Sequence, residues 1–115
     1  MIVVENDHNR FVELSHKYWD KCEIYEMSAT LVGSIIETES IDIIISTLPL
    51  GSISALWVEH ILTAAAGVLK KEGRFIQYQY ALQNLKDVKK YFIVDNIYFE
   101  PRNIWPAFIY SAHKK

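Results

Sequence analysis

Segment 41–51 reads IDIIISTLPLG, and it predicts the centre of the fold. Apart from Asp42, residues 41–45 are all isoleucine. A short β-branched run that ends in turn residues is typical of a strand buried on both faces of a parallel sheet. Proline cannot donate a hydrogen bond to a neighbouring strand, so the strand is expected to end before Pro49. Because ligands bind beyond the carboxyl ends of such strands, residues 46–51 are the first place to expect a site.

Length and composition limit the architecture. The chain has 115 residues, of which 50% are apolar and 23% are charged, with a formal net charge of -2. This length fits a single domain over residues 1–115, and the composition favours a packed core over disorder. The chain has no long basic run and its net charge is slightly negative, so nucleic acid and an anionic membrane surface are not favoured as partners.

Cysteine and histidine usage limits the chemistry further. Cys22 is the only cysteine, so no intramolecular disulfide can form, which fits a reducing, cytoplasmic setting. The four histidines lack metal-like spacing, and no metal site is expected. No apolar run approaches the length of a transmembrane span, and the first residues lack a signal-peptide pattern.

Strands and helices alternate along the chain. Strands are predicted at residues 1–4, 22–27, 41–46, 74–80, 91–100 and 103–112, and helices at 8–20, 31–37, 55–71 and 82–90. The helix 55–71 carries Lys70 and Lys71 in its last turn, and Gly73 follows as its stop. The last two strands are close in sequence and predict an antiparallel hairpin. The whole pattern predicts an α/β domain with a mostly parallel sheet.

The order of these elements resembles that of class I S-adenosylmethionine-dependent methyltransferases, which have a Rossmann-like sheet. The segments VVENDHNRFVEL and YEMSATL are similar to the second and third strands of that family. STLPL is similar to the turn after the fourth strand, and ILTAAAGVLKKEGRFIQYQYAL to the long helix and fifth strand. The ribosomal RNA adenine dimethylases and the phospholipid N-methyltransferases have related turns. The phospholipid branch is the more similar, because of TLPLGSI and GRFIQYQYAL.

The resemblance implies a binding site for S-adenosylmethionine. Glu5 corresponds to the acidic residue that binds the ribose hydroxyls, with Asn6 beside it. Ser28 and Ala29 would lie next to the adenine. Each position also has a purely structural interpretation: Glu5 as an acid at a strand end, and Ser28 and Ala29 as a turn with a helix cap.

The resemblance also implies a site for the methyl acceptor. Ser46, Thr47, Leu48 and Pro49 would shape it, and Ser46 would also contact the cofactor. Ser46 takes the position of an asparagine in the dimethylases. It lacks the reach of the amide, which disfavours a nucleobase and leaves a small-molecule or lipid amine as the expected acceptor. The structural alternative is an ordinary turn between a strand and a loop.

The chain departs from the family pattern at its beginning. The family starts with a strand, a glycine-rich turn and a helix, whereas here the second strand begins at Met1. The four glycines are too far apart to form a G-x-G motif: Gly33, Gly51, Gly67 and Gly73. The expected domain is therefore N-terminally incomplete, without its first strand and helix.

The missing strand would lie in mid-sheet, between strands 1–5 and 41–46. A gap there would leave buried backbone groups unpaired, at a cost of about 1–3 kcal/mol each. Two arrangements avoid this cost. Either the two flanking strands pair directly, or another chain supplies the strand, which predicts a homo-oligomer or a strand-exchanged dimer.

Two functions remain open on the sequence. The first is an S-adenosylmethionine-dependent methyltransferase that N-methylates a phospholipid or another amine. The alternative is a truncated, non-catalytic module with the methyltransferase fold, which acts in binding or oligomerisation. Glu5 and the Leu-Pro-Leu turn favour the enzyme, and the absent glycine turn favours the alternative.

Overall fold

The described residues of the computed structural model, 1–80, 82, 84–102 and 106–115, form an α/β fold. The strands are β1 (Ile2–Glu5), β2 (Glu23–Glu26), β3 (Ile41–Ser46), β4 (Leu69–Gln79), β5 (Phe92–Glu100) and β6 (Ala107–Lys114). The helices are α1 (His8–Tyr18), α2 (Ala55–Val68) and α3 (Leu85–Tyr91), with short 3₁₀ segments at Ala29–Ser34 and Leu50–Ser52. No helix in this part of the chain is long and apolar enough to cross a membrane.

The strands form two separate sheets. β1 and β2 make a parallel pair. The other sheet has the order β3-β4-β6-β5, with β3 parallel to β4 and the last two strands in an antiparallel hairpin. This confirms the α/β class and the C-terminal hairpin. Within the described residues β1 and β3 each pair with one neighbour only, so the direct pairing of these two strands is absent.

The core lies between the four-stranded sheet and helices α2 and α3. Its fully buried members come from both layers: Leu50, Val58, Leu62, Leu69, Phe75, Val88, Phe92, Tyr110 and Ala112. The Phe75 and Phe92 rings stack with their centroids 4.4 Å apart. Side chains alternate between the faces of a strand, so Phe75, Gln77 and Gln79 of β4 all lie on its buried face.

Strand β3 is covered on one face only. Ile44 packs against the core, whereas the side chains of Ile43 and Ile45 are 57% and 71% exposed. The prediction that β3 is buried on both faces is therefore wrong, although its bounds, 41–46, are confirmed. A run of β-branched residues predicts an extended strand, but it carries no information on whether a second layer lies over the sheet.

Helix α2 is shorter than the sequence pattern predicts. It ends at Val68 instead of residue 71, because Leu69 adopts an extended conformation and pairs with β3. Leu69 is fully buried, and the neighbouring Lys70 forms an ion pair with Asp42 of β3 at 2.9 Å. These tertiary contacts outweigh the helix-ending pattern of the two lysines.

Gly73 consequently lies inside β4 and does not terminate a helix. A Cβ atom at this position would lie 2.6 Å from Cδ1 of Leu69 and 2.9 Å from the carbonyl oxygen of Lys70. Glycine is required here by the close approach of the preceding segment.

The N-terminal unit, residues 2–26, is less buried than the rest. Helix α1 begins at an N-cap, where the side chain of Asp7 accepts a hydrogen bond from the Arg10 N–H at 2.9 Å. None of the residues of α1 is fully buried. The 3₁₀ segment Ala29–Ser34, predicted as a helix at 31–37, packs against α2 and so connects this unit to the main sheet.

The remaining bounds differ by a few residues at their ends. Helix α1 ends at Tyr18 rather than 20, and α3 begins at Leu85 rather than 82. The last strand continues to Lys114, beyond its predicted end at 112. Its predicted start, 103–105, lies outside the described residues.

Candidate functional site

A cleft of about 410 Å³ lies beyond the carboxyl ends of β3 and β4. This is the edge at which the sequence predicts a site. Its lining comes from the loop after β3 and from the end of β4: Thr47, Pro49, Gly51, Ser52, Tyr78, Gln79 and Tyr80. Thr47 and Pro49 are two of the four residues that the sequence predicts to shape an acceptor site, and both line this cleft. Gln79 was not singled out, because its place in the cleft depends on how β4 is registered against its neighbours.

Hydrogen bonds fix the loop after β3. The Oγ atom of Ser46 accepts the Leu48 backbone N–H at 3.4 Å, and the Leu48 carbonyl oxygen accepts a hydrogen bond from Nε2 of Gln77 at 2.9 Å. Neither Ser46 nor Leu48 lines the cleft. Both instead hold the turn that places Thr47 and Pro49 at its wall.

The described lining of the cleft is uncharged. Its two tyrosine rings meet edge to face, with centroids 5.7 Å apart and an interplanar angle of 85°. Burial, and then the neighbouring Tyr80 and Glu100, raise the pKa of Tyr78, so its phenol stays protonated at neutral pH. A cleft with this lining disfavours a charged ligand group and favours a neutral polar one.

A second, apolar cleft of about 580 Å³ shares Tyr80 with the first. Its other described lining residues are Phe99, Pro106 and Phe108. The Phe99 and Phe108 rings lie with centroids 5.2 Å apart, across the β5–β6 hairpin. An amphipathic molecule with its polar end in the first cleft would therefore meet an apolar surface next to it.

The residues predicted to bind the nucleoside lie together at the end of the two-stranded sheet. Glu5 ends β1, and its carbonyl oxygen accepts the Met27 N–H at 3.1 Å, which places Ser28 and Ala29 beside it. Glu5 and Ser28 also make local contacts that agree with a purely structural role. Oε1 of Glu5 accepts the Asp7 N–H at 3.0 Å, and Oγ of Ser28 accepts the Thr30 N–H at 3.3 Å.

This nucleoside group is separate from the cleft. None of Glu5, Asn6, Ser28 and Ala29 is among its lining residues. Asn6 is exposed in the turn between β1 and α1. The two groups belong to the ends of different sheets. Ser46, at the end of β3, is the one residue that the sequence predicts both to contact the cofactor and to shape the acceptor site.

Comparison with solved structures identifies the fold. A protein from Pyrococcus horikoshii aligns over 100% of this chain and 71% of its own, with a TM-score of 0.80 and 14% identity. A TehB-like S-adenosylmethionine-dependent methyltransferase from Corynebacterium glutamicum aligns over 99% and 67%, with a TM-score of 0.78 and 12% identity. The N-methyltransferase NodS from Bradyrhizobium japonicum, solved with S-adenosylhomocysteine, aligns over 98% and 65%, with a TM-score of 0.82 and 8% identity.

This chain has the methyltransferase fold. Identities of 8–14% extend the likeness to the fold alone. No family model and no curated protein matches the sequence. The particular resemblance to phospholipid N-methyltransferases therefore rests on the sequence motifs.

The residues present fit one half of S-adenosylmethionine better than the other. Glu5 offers a carboxylate at a strand end, and Ser28 and Ala29 follow Met27, whose N–H donates to the Glu5 carbonyl oxygen; this arrangement suits a ribose and its base. The methionine half needs a close backbone approach that glycine allows, and the sequence has no G-x-G motif. The chain thus has candidate partners for the nucleoside and lacks the glycine turn for the methionine.

Proposed function

We propose that this chain is an S-adenosylmethionine-dependent methyltransferase module that acts on an amine, with a phospholipid amine as the favoured acceptor. The observation that carries the proposal is the uncharged cleft beyond β3 and β4, next to the Leu-Pro-Leu turn. The fold supports the choice of cofactor, and Glu5, Asn6, Ser28, Ala29 and Ser46 are the residues proposed to hold it.

The cofactor would supply a methyl group bound to a sulfonium; transfer forms an N–C bond, breaks an S–C bond and releases one proton to water. The chain's own contribution is to prepare the amine. A cleft whose described lining carries no charged side chain lowers the pKa of a bound amine and so favours the neutral form that has a free lone pair. Pro49, Tyr78 and Tyr80 restrict its orientation and exclude water, so the catalytic effect comes from positioning and desolvation.

The apolar cleft favours an acceptor with a hydrocarbon part. Phe99, Pro106 and Phe108 provide apolar surface that adjoins the polar cleft through Tyr80. A head-group amine in the first cleft would leave an acyl or alkyl chain against this surface, where each buried CH₂ is worth about 0.8 kcal/mol. A free, fully polar amine gains nothing from it.

The alternative function is a non-catalytic module that binds another chain. The separation of the two sheets favours it, since β1 and β3 both keep an edge without a strand partner among the described residues. Exposed edges accept strands from other chains. On this alternative, a second copy completes the sheet in a homo-oligomer or a strand-exchanged dimer, and the mass of the purified chain in solution tests it by light scattering.

Calorimetric titration with S-adenosylhomocysteine tests the enzyme proposal. We expect binding that Glu5→Ala weakens about tenfold, which corresponds to about 1.4 kcal/mol. Glu23→Ala is the matched control, because Glu23 is an exposed acid at the opposite end of the same two-stranded sheet, and it should bind like the unchanged chain. No heat from folded protein at millimolar ligand would contradict the proposal and favour the non-catalytic module.

A further inference from the structure

Gln79 is one of the residues that line the cleft, and its side-chain amide is held in place by two further side chains. It is only 5% exposed, and its Nε2 donates a hydrogen bond to Oδ1 of Asn84 at 3.2 Å. Nδ2 of Asn84 in turn donates to Oδ2 of Asp87 at 3.2 Å. The three side chains form one hydrogen-bonded chain from helix α3 to the cleft.

The carboxylate at the end of this chain determines its direction. An ionised Asp87 can only accept hydrogen bonds, so Asn84 must turn its NH₂ group toward it. The amide oxygen of Asn84 then accepts, and Gln79 must donate through its own NH₂ group. Lys90 forms an ion pair with this carboxylate, with its Nζ 3.6 Å from Oδ1 of Asp87. One N–H of Gln79 is therefore used for Asn84, and Oε1 is the acceptor that this amide offers to a bound molecule.

Gln77, two residues earlier on the same face of β4, has its amide oriented in a similar way. It is fully buried, and its Nε2 donates to the carbonyl oxygens of Leu48 and Tyr78, at 2.9 and 3.1 Å. Its Oε1 has no hydrogen-bond partner among the residues that the structure describes. The end of β4 thus carries two amides, each with an Nε2 that donates within the protein and an Oε1 that is an acceptor. Gln79 lines the cleft whereas Gln77 does not, so a ligand there that satisfies the oxygen of Gln79 must itself bring a hydrogen-bond donor.

We infer that Gln79 is a specificity-determining residue that binds the acceptor nitrogen through one of its N–H bonds. This assignment rests on the proposed function for its role in methylation. An amide oxygen takes an N–H group and leaves the lone pair of the nitrogen free. Primary and secondary amines satisfy it, whereas a quaternary ammonium has no N–H to donate. The site therefore accepts primary and secondary amines and rejects a nitrogen without an N–H bond, namely a neutral tertiary amine or a quaternary ammonium. Asp87 acts on this choice only through Asn84, as a positioning residue.

Protein NMR with two small probes tests the inference. Ethanolamine and choline differ in the N–H bonds of their nitrogen, and each is titrated into the ¹⁵N-labelled full chain while the side-chain amide resonances of Gln79 are followed. We expect saturable shifts with ethanolamine and at least about tenfold weaker binding of choline. Equal binding of the two probes to the unchanged protein would overturn the inference.

Two variants separate recognition from folding. Gln79→Leu removes the acceptor oxygen and should bring ethanolamine binding down to that of choline. Asp87→Asn removes the carboxylate that orients the amides of Asn84 and Gln79. We expect it to reduce the preference for ethanolamine over choline while the backbone spectrum stays native. A folded Gln79→Leu that still prefers ethanolamine would contradict the assignment. If Gln79→Leu does not fold, the Asp87→Asn variant and the comparison of probes on the unchanged chain decide.

Titration of the same sample with S-adenosylhomocysteine distinguishes the two proposals. Binding of S-adenosylhomocysteine without a preference for ethanolamine would overturn the role of Gln79 and leave the methyltransferase proposal standing. A preference for ethanolamine without binding of S-adenosylhomocysteine would confirm the amine site and count against methyl transfer.

Discussion

The two sheets of this molecule differ in how they are stabilised. The four-stranded sheet packs against α2 and α3 and contributes most of the fully buried side chains. The two-stranded sheet consists of strands of four residues each, and helix α1 beside it buries none of its residues completely. Local stability increases with buried apolar surface. The main sheet should therefore need more free energy to open than the N-terminal unit, residues 2–26.

The same division separates the two halves of the proposed function. The cleft, with Gln79 and the proline turn, belongs to the well-packed sheet, whereas Glu5, Ser28 and Ala29 belong to the poorly packed one. A ligand that contacts both would connect parts of the molecule that share no strand pairing. A ligand that binds only the folded protein would then stabilise the N-terminal unit most.

The largest expected effect is in the main core. Phe75→Ala removes a fully buried ring that stacks on Phe92, and we expect it to lower the free energy of unfolding by about 3–5 kcal/mol. Phe11→Ala in α1 is the matched control, because Phe11 is only partly buried, and its cost should be about 1 kcal/mol. Urea unfolding followed by far-UV circular dichroism measures both. Equal losses would show that the two units are equally well packed.

A smaller effect is expected from the glycines. Gly73→Ala forces a Cβ against Leu69 and should cost about 1–3 kcal/mol, because the contact of 2.6 Å requires movement in the core. Gly67→Ala lies in open space on α2 and should instead stabilise the protein by about 0.5–1 kcal/mol. The midpoints of thermal unfolding should move in opposite directions. A shift of both variants in the same direction would contradict the packing described for β4.

The sequence predicts local structure best where one segment contains all the information. The bounds of β3 are confirmed because a β-branched run is followed by Pro49, which cannot extend a strand. The end of α2 was predicted wrongly because Lys70 and Gly73 suit a helix terminus equally well, and only pairing with β3 decides otherwise. Local patterns do not encode such a choice between tertiary partners.

The candidate site was predictable only in part, for the same reason. Its position beyond β3 follows from the general geometry of parallel sheets, and Pro49 was identified from its turn. The chain from Gln79 through Asn84 to Asp87 joins a strand to a helix and depends on where α3 begins. That β3 is packed on only one face depends on where other helices and strands lie, and segment 41–51 carries no information on this.

The smallest expected effect is on the stability of the protein at acidic pH. Hydrogen bonding to His113, with the charges of His113 and Arg74, lowers the pKa of Asp95 below its usual value. A carboxyl with a lowered pKa in the folded state stabilises the protein above its unfolded pKa, and this contribution is lost as the pH falls through the folded pKa.

Asp95→Asn should therefore be slightly less stable at neutral pH and should lose less stability than the unchanged chain between about pH 5 and pH 3. The difference in melting temperature should be no more than a few degrees, since the pair lies near the surface. Asp42→Asn, which removes a more exposed ion pair, is the control. Parallel pH curves for Asp95→Asn and the unchanged chain would contradict the effect.

Hydrogen–deuterium exchange with and without S-adenosylhomocysteine tests the central claim most directly, namely that the nucleoside half of the cofactor binds at the ends of β1 and β2. In the free chain, amides of Ile2–Glu5 and Glu23–Glu26 should exchange faster than those of β4 and β6. Saturating ligand should slow exchange in these N-terminal strands more than in the main sheet. Unchanged exchange at both N-terminal strands under saturating ligand would contradict the claim.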